Sequence, residues 1–316
     1  RSDEEDEPSH MPRRTRQLVG IVAMAILFVP SSVRADSPAA GLRDLAEKVD
    51  LGRIERLSLQ HQWRYSTVDS WARDAIKSVH GAGKLFDIDP VAAAIELMFN
   101  APAYHSEPII YVKDKAILRE LTAFPGFVAT EERKPMIFTG MVSYNFPCSP
   151  EVVKRLQELN ANMLKKTAMD RLSSALSYYE NLASIFTIVP EPAGKVDTPW
   201  HSPVQLARPD FADASSLSTE QKGKLAQLMA DWQTAWLARD ANRVNAAIAG
   251  LDEFLPTLAP PGVYPPVEKR MAEVKYRRMG MLRFAWGAYI AAFFTAIFAV
   301  GTRFQWVRTI GLLRAK

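Results

Sequence analysis

Asp69 and Arg73 stand four residues apart in the stretch WRYSTVDSWARDAI, residues 63–76. On a helix that spacing puts both side chains on one face, where they can form an ion pair. Ser66 or Thr67 is placed to cap that helix, which should run to Val79. Two chemistries follow. The pair is either a surface ion pair or a scaffold that presents Arg64 to an anionic partner such as a propionate, because a guanidinium grips a carboxylate through two parallel N–H donors. Further on, Trp200-His201-Ser202-Pro203 follows a loop. Its indole and imidazole either contact a flat ligand or tuck in as an anchor at a turn. Arg64, Asp69, Arg73, Trp200 and His201 are therefore the candidate partner-binding residues.

Other chemistries find no residues to carry them. The five histidines (His10, His61, His80, His105, His201) lack metal-ligand spacing, and the single cysteine, Cys148, permits no intramolecular disulfide. There is no CxxCH haem-attachment sequence, nucleophile elbow, P-loop, dinucleotide fingerprint or zincin motif. No catalytic residue, metal ligand or cofactor contact is assignable, and an enzyme acting by itself is not expected. The net charge of +4 over 316 residues is mild. Many basic residues flank two apolar segments rather than forming a patch, so nucleic acid is not an expected partner.

The elements that must position these residues read as mainly α. Asp89-Pro90 supplies an N-cap and a first-turn proline for VAAAIELMF. Ser149-Pro150 repeats the device before a stretch free of proline and glycine from Glu151 to Val189. Apolar residues there at 152, 156, 159, 163, 172, 176, 179, 183 and 186 predict one long amphipathic helix. Tyr178, Tyr179 and Phe186 on it read as core. Ser218 and Gln221 form a capping box, and Asp240 caps a further helix that should pair antiparallel with the preceding one. Short strands are expected at Pro108–Val112 and Met136–Phe138. One α-rich domain then covers residues 36–265.

Two apolar segments frame it. Leu18–Val29 follows Arg13, Arg14 and Arg16 and precedes Val33-Arg34-Ala35, the plan of a cleavable signal peptide within residues 1–35. The acidic residues before Met11 stand outside that plan. Phe284–Thr302 holds nineteen uncharged residues, enough to cross about 30 Å of hydrocarbon. A helix from about Pro266 through Thr302 should carry Lys269, Arg270, Lys275, Arg277, Arg278 and Arg283 before entering the bilayer, on a solvated face or toward lipid phosphates, the solvated face being the expectation. If residues 36–283 are exported, the basic tail 303–316 is cytoplasmic. The chain then sits in the inner (cytoplasmic) membrane as a single-pass protein, with most of its mass in the periplasm.

Several segments, in order, resemble the System II cytochrome c biogenesis membrane proteins, in the forms that carry a large exported domain. In LQHQWRYSTVDSWARDAI, residues Gln62, Arg64, Asp69, Ser70, Ala72, Arg73 and Asp74 fall on the family pattern. Trp63 departs from its glycine, and Thr67-Val68 from its Pro-Leu. Asp89-Pro90 with Val91–Phe99, Glu107–Val112, Trp200–Leu206 and a terminal helix leading into a span extend the likeness over most of residues 55–302. Family members continue into several more spans with a tryptophan-rich haem-handling segment and membrane histidines. The likeness here is to the exported domain and first span, as in a split protein or a piece of a longer one, so no haem-binding or thioether-forming residue carries over. The resemblance implies a membrane-anchored component of cytochrome c assembly that delivers haem or holds apocytochrome. It implies other assembly membrane subunits, apocytochrome c and the lipid bilayer as partners, with haem reached through the complex. The alternative is an exported, membrane-anchored interaction scaffold with no link to haem.

Overall fold

Capping chemistry decides where most helices begin. In a computed structural model describing residues 38–61, 64–123, 130–160, 166–195, 197–208, 215–279 and 281–314, helices α1 (Pro38–Lys48) and α2 (Leu51–Glu55) lead into a hairpin of β1 (Ser58–His61) and β2 (Arg64–Thr67). Thr67 then caps α3 (Val68–His80) by accepting from the Ser70 amide, and Asp89 caps α4 (Pro90–Asn100) at Val91. A 3-10 turn at Ala101–Tyr104 precedes β3 (Ile110–Tyr111), α5 (Lys115–Leu121), α6 (Thr130–Thr139), β4 (Met141–Val142) and α7 (Asn145–Cys148). The second half is α8 (Pro150–Asn160), α9 (Lys166–Ile185), α10 (Pro203–Leu206), α11 (Thr219–Leu237), α12 (Ala241–Leu258), α13 (Val267–Met279) and α14 (Met281–Arg314). The fold is mainly α with few short strands, as the periodicity predicts.

The capping box at Ser218 and Gln221 and the Asp240 cap both form. Three residues separate α11 from α12, and the two pack together as an antiparallel pair. Elsewhere tertiary context overrides local pattern. The stretch read as one long helix is helical over α8 and α9 on either side of residues 161–165, which lie outside the described residues; α9 departs from helical angles at Asn181 and ends at Ile185, short of Val189. Met136–Phe138 is helical, within α6; the partner of β3 is β4, through Ile110↔Val142 and Tyr111↔Met141. The hairpin β1–β2 carries no signal in the sequence reading. It pairs Ser58↔Thr67 through His61↔Arg64. Residues 62–63, including Gln62 of the family pattern, lie outside the described residues, as do residues 1–37 with the signal-peptide segment.

Helix α4 is the centre of the core. Its apolar run is buried nearly all round, as a helix with no polar face must be. Trp71 of α3, Phe186 after α9, Trp232 of α11 and Phe99 of α4 form a chain of tilted and edge-on rings with centroids 4.9, 6.1 and 5.1 Å apart. Such geometry adds about 1 kcal/mol per pair beyond area burial. Tyr179 and Phe186 are core residues as expected, and Tyr178 is partly buried. A smaller cluster of Ile117, Leu121, Val152, Leu159 and Met169 sits under α5, α8 and α9. Where α3 ends, Gly81 has φ +73°, and a Cβ there would lie 2.3 Å from the Tyr111 ring. Only glycine permits both the left-handed turn and that close approach.

At the C-terminus the stretch expected to be helical from about Pro266 is so over α13 and α14, with Gly280 between them outside the described residues, and α14 continues beyond Thr302 to Arg314. The basic tail is thus helical over residues 303–314. Residues Phe284–Gly301 are long and apolar enough to cross a membrane, and none of that window is buried against the protein.

Candidate functional site

Three carboxylates gather where α2, α3 and α4 meet. Glu55 ends α2, Asp69 sits in the first turn of α3, and Asp89 caps α4. Asp69 is fully buried and accepts from Arg73 Nε at 2.9 Å and Nη2 at 2.8 Å. The i,i+4 pairing is as the spacing predicts, but it is not a surface pair: the carboxylate is part of the interior. A lone buried carboxylate would be costly, and the fork-shaped guanidinium makes it tolerable. Arg73 commits its Nε and Nη2 donors to Asp69. Arg64 stands apart, exposed at the start of β2 opposite His61.

The remaining neutralising charge comes from α13. Arg278 pairs with Glu55, whose side chain is 4% exposed. Arg277 approaches Asp74 at 3.7 Å. Glu273 accepts from Ser70 Oγ at 2.7 Å, from Ser66 Oγ at 3.0 Å and from the Thr67 amide at 3.3 Å, so a carboxylate sits at the positive end of α3. Arg270 is 4% exposed; it donates to the Arg56 carbonyl at 2.8 Å, approaches Asp252 at 3.3 Å and lies 5.2 Å from the Tyr264 ring centroid. The cations expected on a solvated face therefore divide. Lys269 and Lys275 are solvated, Arg277 and Arg278 are half-exposed and paired, and Arg270 is buried. Helical periodicity alone could not separate them, because their carboxylate partners lie about 20 to 220 residues away in sequence.

Burial pushes the Glu55 carboxyl up to about 7, and the nearby Asp89 and Asp69 charges add to the rise while Arg278 and Arg73 oppose it. The sign of the linkage follows. The native state holds its proton to higher pH than the unfolded chain, so the contribution is complete below about pH 4.5 and is lost as pH rises through about 7. Urea midpoints should thus fall from pH 5 to pH 8 by up to about 3 kcal/mol of stability from this group. Glu55→Gln should flatten that slope and be the more stable protein at pH 8. Its difference from the parent isolates Glu55 from His61 and His105, which burial lowers and which act in the opposite sense. Parallel pH profiles for the two proteins would refute the assignment.

Trp200 and His201 are built into a different corner. Trp200 is buried, stacks on Tyr264 at 5.6 Å and meets Tyr65 of β2 at 5.2 Å. Its amide donates to Gln60 Oε1 at 2.8 Å. His201 exchanges backbone hydrogen bonds with Val189, and its Nε2 lies 2.9 Å from Glu191. Glu191 also accepts from the Ser216 hydroxyl and amide. Burial works against ionisation there, but the Ser216 and His201 donors outweigh it and hold the carboxyl at about 2. This is the tucked-in anchor of the two readings. It ties the loop after α9 to β1. The five candidate residues thus fall in two places, Asp69–Arg73 beside Glu55 and Trp200–His201 behind the hairpin, with Arg64 at its tip.

A second buried charge escaped the sequence reading. Glu96 of α4 accepts from Arg239 Nη2 at 2.7 Å, Trp236 Nε1 at 2.8 Å, Asn100 Nδ2 at 2.8 Å and the Tyr104 hydroxyl at 3.2 Å. Burial alone would raise its pKa; the Arg239 pair and the other donors hold it below the ordinary carboxylate value. Arg239 reaches it from a left-handed turn, φ +58°, between α11 and α12. The one available signal was a glutamate inside an otherwise apolar helix, a position that demands partners. Among the described residues no group of three His, Cys, Asp or Glu could hold a metal ion. Compared with known proteins, the chain matches no family model and no curated protein.

Proposed function

We propose that the chain is a membrane-anchored assembly subunit whose extracytoplasmic domain holds partners for cytochrome c maturation, with haem entering through other subunits of the complex. The observation that carries the reading is the docking of α13. That helix is fastened to the domain through Arg270, Glu273, Arg277 and Arg278, and a single residue, Gly280, separates it from the apolar helix α14. A domain that only needed tethering would be served by a loose linker. The docking suits a domain that must present a surface close to the bilayer. The export topology is part of the proposal; a long translocated domain crosses largely regardless of the cations before its span. The cytochrome part of the reading draws on the segments that resemble System II proteins. Of these, Arg64–Ile76, Val91–Phe99 and Trp200–Leu206 all flank one core.

Deleting the gene should abolish covalently attached haem on c-type cytochromes, seen as loss of haem-stained bands on denaturing gels, while non-covalent haem in the membranes persists. Unchanged haem-stained bands would overturn the cytochrome reading and leave a membrane-anchored scaffold without a haem link.

A further inference from the structure

The C-terminal end of α13 is held by two arginines. Past Glu273, the polar ties from this helix to the domain among the described residues are Arg277 to Asp74 at 3.7 Å and Arg278 to Glu55. Arg277 and Asp74 are both well exposed, and a pair of that kind adds little. Arg278 is half-exposed, but its partner is interior. An open groove of about 500 Å³ separates α2 from α13. Asp50, Glu55, Arg56, Lys275 and Arg278 are among the residues that line it, and Arg278 reaches across it to Glu55. The cover over Glu55 therefore comes mainly from the other side, where α2 packs on α3, α4 and α12.

Charged groups face Glu55 from each of these elements. Asp69 and Arg73 act on it from α3, and Asp89 from the cap of α4. Arg73 is committed to Asp69. Asp50 caps α2, and Arg56 at its end is held by Asp252 of α12. Lys275 and Arg278 stand on the α13 side, and Arg278 is in direct contact with the carboxylate. Separating α13 from α2 removes that contact and leaves Asp69, Asp89 and the cover of α3, α4 and α12 in place. The carboxyl then ionises less readily than in the docked helix, because burial and like charge still oppose ionisation while the counterion has gone. A proton on Glu55 thus favours the loosened end.

We propose that Glu55 and Arg278 form a proton-operated latch on the C-terminal end of α13, closed while the carboxyl is ionised and released when it takes up a proton. The release falls near pH 7, where burial sets the Glu55 titration. The latch needs only the contacts of α13 and does not depend on what the domain holds. Its direction is opposite to that of global stability. Unfolding delivers Glu55 to water, so the proton that loosens α13 also protects the domain against unfolding. Through this one group, falling pH frees the end of a helix without weakening the core beneath it.

The test uses the full chain purified in neutral detergent. Amide hydrogen exchange is followed from about pH 8.5 to about pH 5.5, with each rate divided by the intrinsic rate at that pH. Protection of residues 274–279 should fall about three- to fivefold as the pH drops, the factor expected for one partly exposed ion pair. Protection in α3 and α4 should not fall. Glu55→Gln should show the low value for 274–279 at every pH. Arg278→Gln, at a half-exposed position, should do the same with the Glu55 carboxyl intact, so the latch stays testable if the first variant folds poorly. Protection of 274–279 that is independent of pH in the parent overturns the latch. So does protection that rises as the pH falls, which would mean that cover by α13 outweighs the charge pair. A drop retained in both variants also overturns it, and assigns the switch to another group such as His61, which feels the Asp74 charge.

Discussion

Glu96→Ala lowers the thermal midpoint of the domain by about 10 °C. The carboxylate accepts from both Nη atoms of Arg239 and also from Trp236 Nε1, Asn100 and the Tyr104 hydroxyl. Removing it strands a guanidinium and an indole N–H beside the core, a loss that costs about 3–5 kcal/mol in buried pairs. Arg239 keeps 28% of its side chain exposed and can turn toward water, which places the cost near the lower end, about 3 kcal/mol. For a domain of this size each kcal/mol moves the midpoint by about 2–4 °C. Glu96→Gln, which retains an acceptor for Trp236 but loses the charge, should fall between the two. Tryptophan fluorescence during heating measures this directly, since Trp236 and Trp232 sit beside the network. A midpoint within about 2 °C of the parent for Glu96→Ala would show that the network contributes little and that apolar packing alone joins α4 to the α11–α12 pair.

Arg270→Ala frees α13. The guanidinium is buried among Asp252, the Arg56 carbonyl and the Tyr264 ring, and its loss leaves a cavity lined with acceptors. Losing those contacts costs the docked state about 2 kcal/mol. Local opening of the helix then becomes about thirtyfold more frequent. Amide hydrogen exchange should accelerate by that factor in residues 267–279 and stay unchanged in α3 and α4. The contacts of Glu273, Arg277 and Arg278 remain in the variant, so the helix is loosened rather than lost. Exchange at the parental rate throughout 267–279 would mean that these three contacts, not Arg270, hold the helix.

Both variants probe links between residues far apart in the chain, and this is where sequence reading stopped. Helix starts were legible because capping is local chemistry: Thr67, Asp89, Ser218 and Asp240 each satisfy an amide within three residues. The apolar window at residues 284–301 was legible because length and composition are enough to recognise it. The Asp69–Arg73 pair was legible because helical spacing dictates it. The hairpin β1–β2 was not: its four-residue strands mix apolar, polar and charged side chains, and only burial of Leu59 and the packing of Tyr65 on Trp200 set them as strands. The choice of β4 over residues 136–138 likewise depended on which segment could reach β3.

By itself, then, the amino-acid order determined the helical class, the positions of the caps, the α11–α12 pair and the apolar helix near the end of the chain. Tertiary structure alone decided that Asp69 and Glu96 are interior charges, that Trp200 and His201 are structural anchors, and that α13 docks on the domain through cations that a linear count assigns to solvent. The physical reason is the range of the forces. Capping and periodicity act over one or two turns, whereas a buried carboxylate needs a partner whose distance in sequence is unrestricted. Arg278 is 223 residues from Glu55, and no local pattern marks either as the other's counterion.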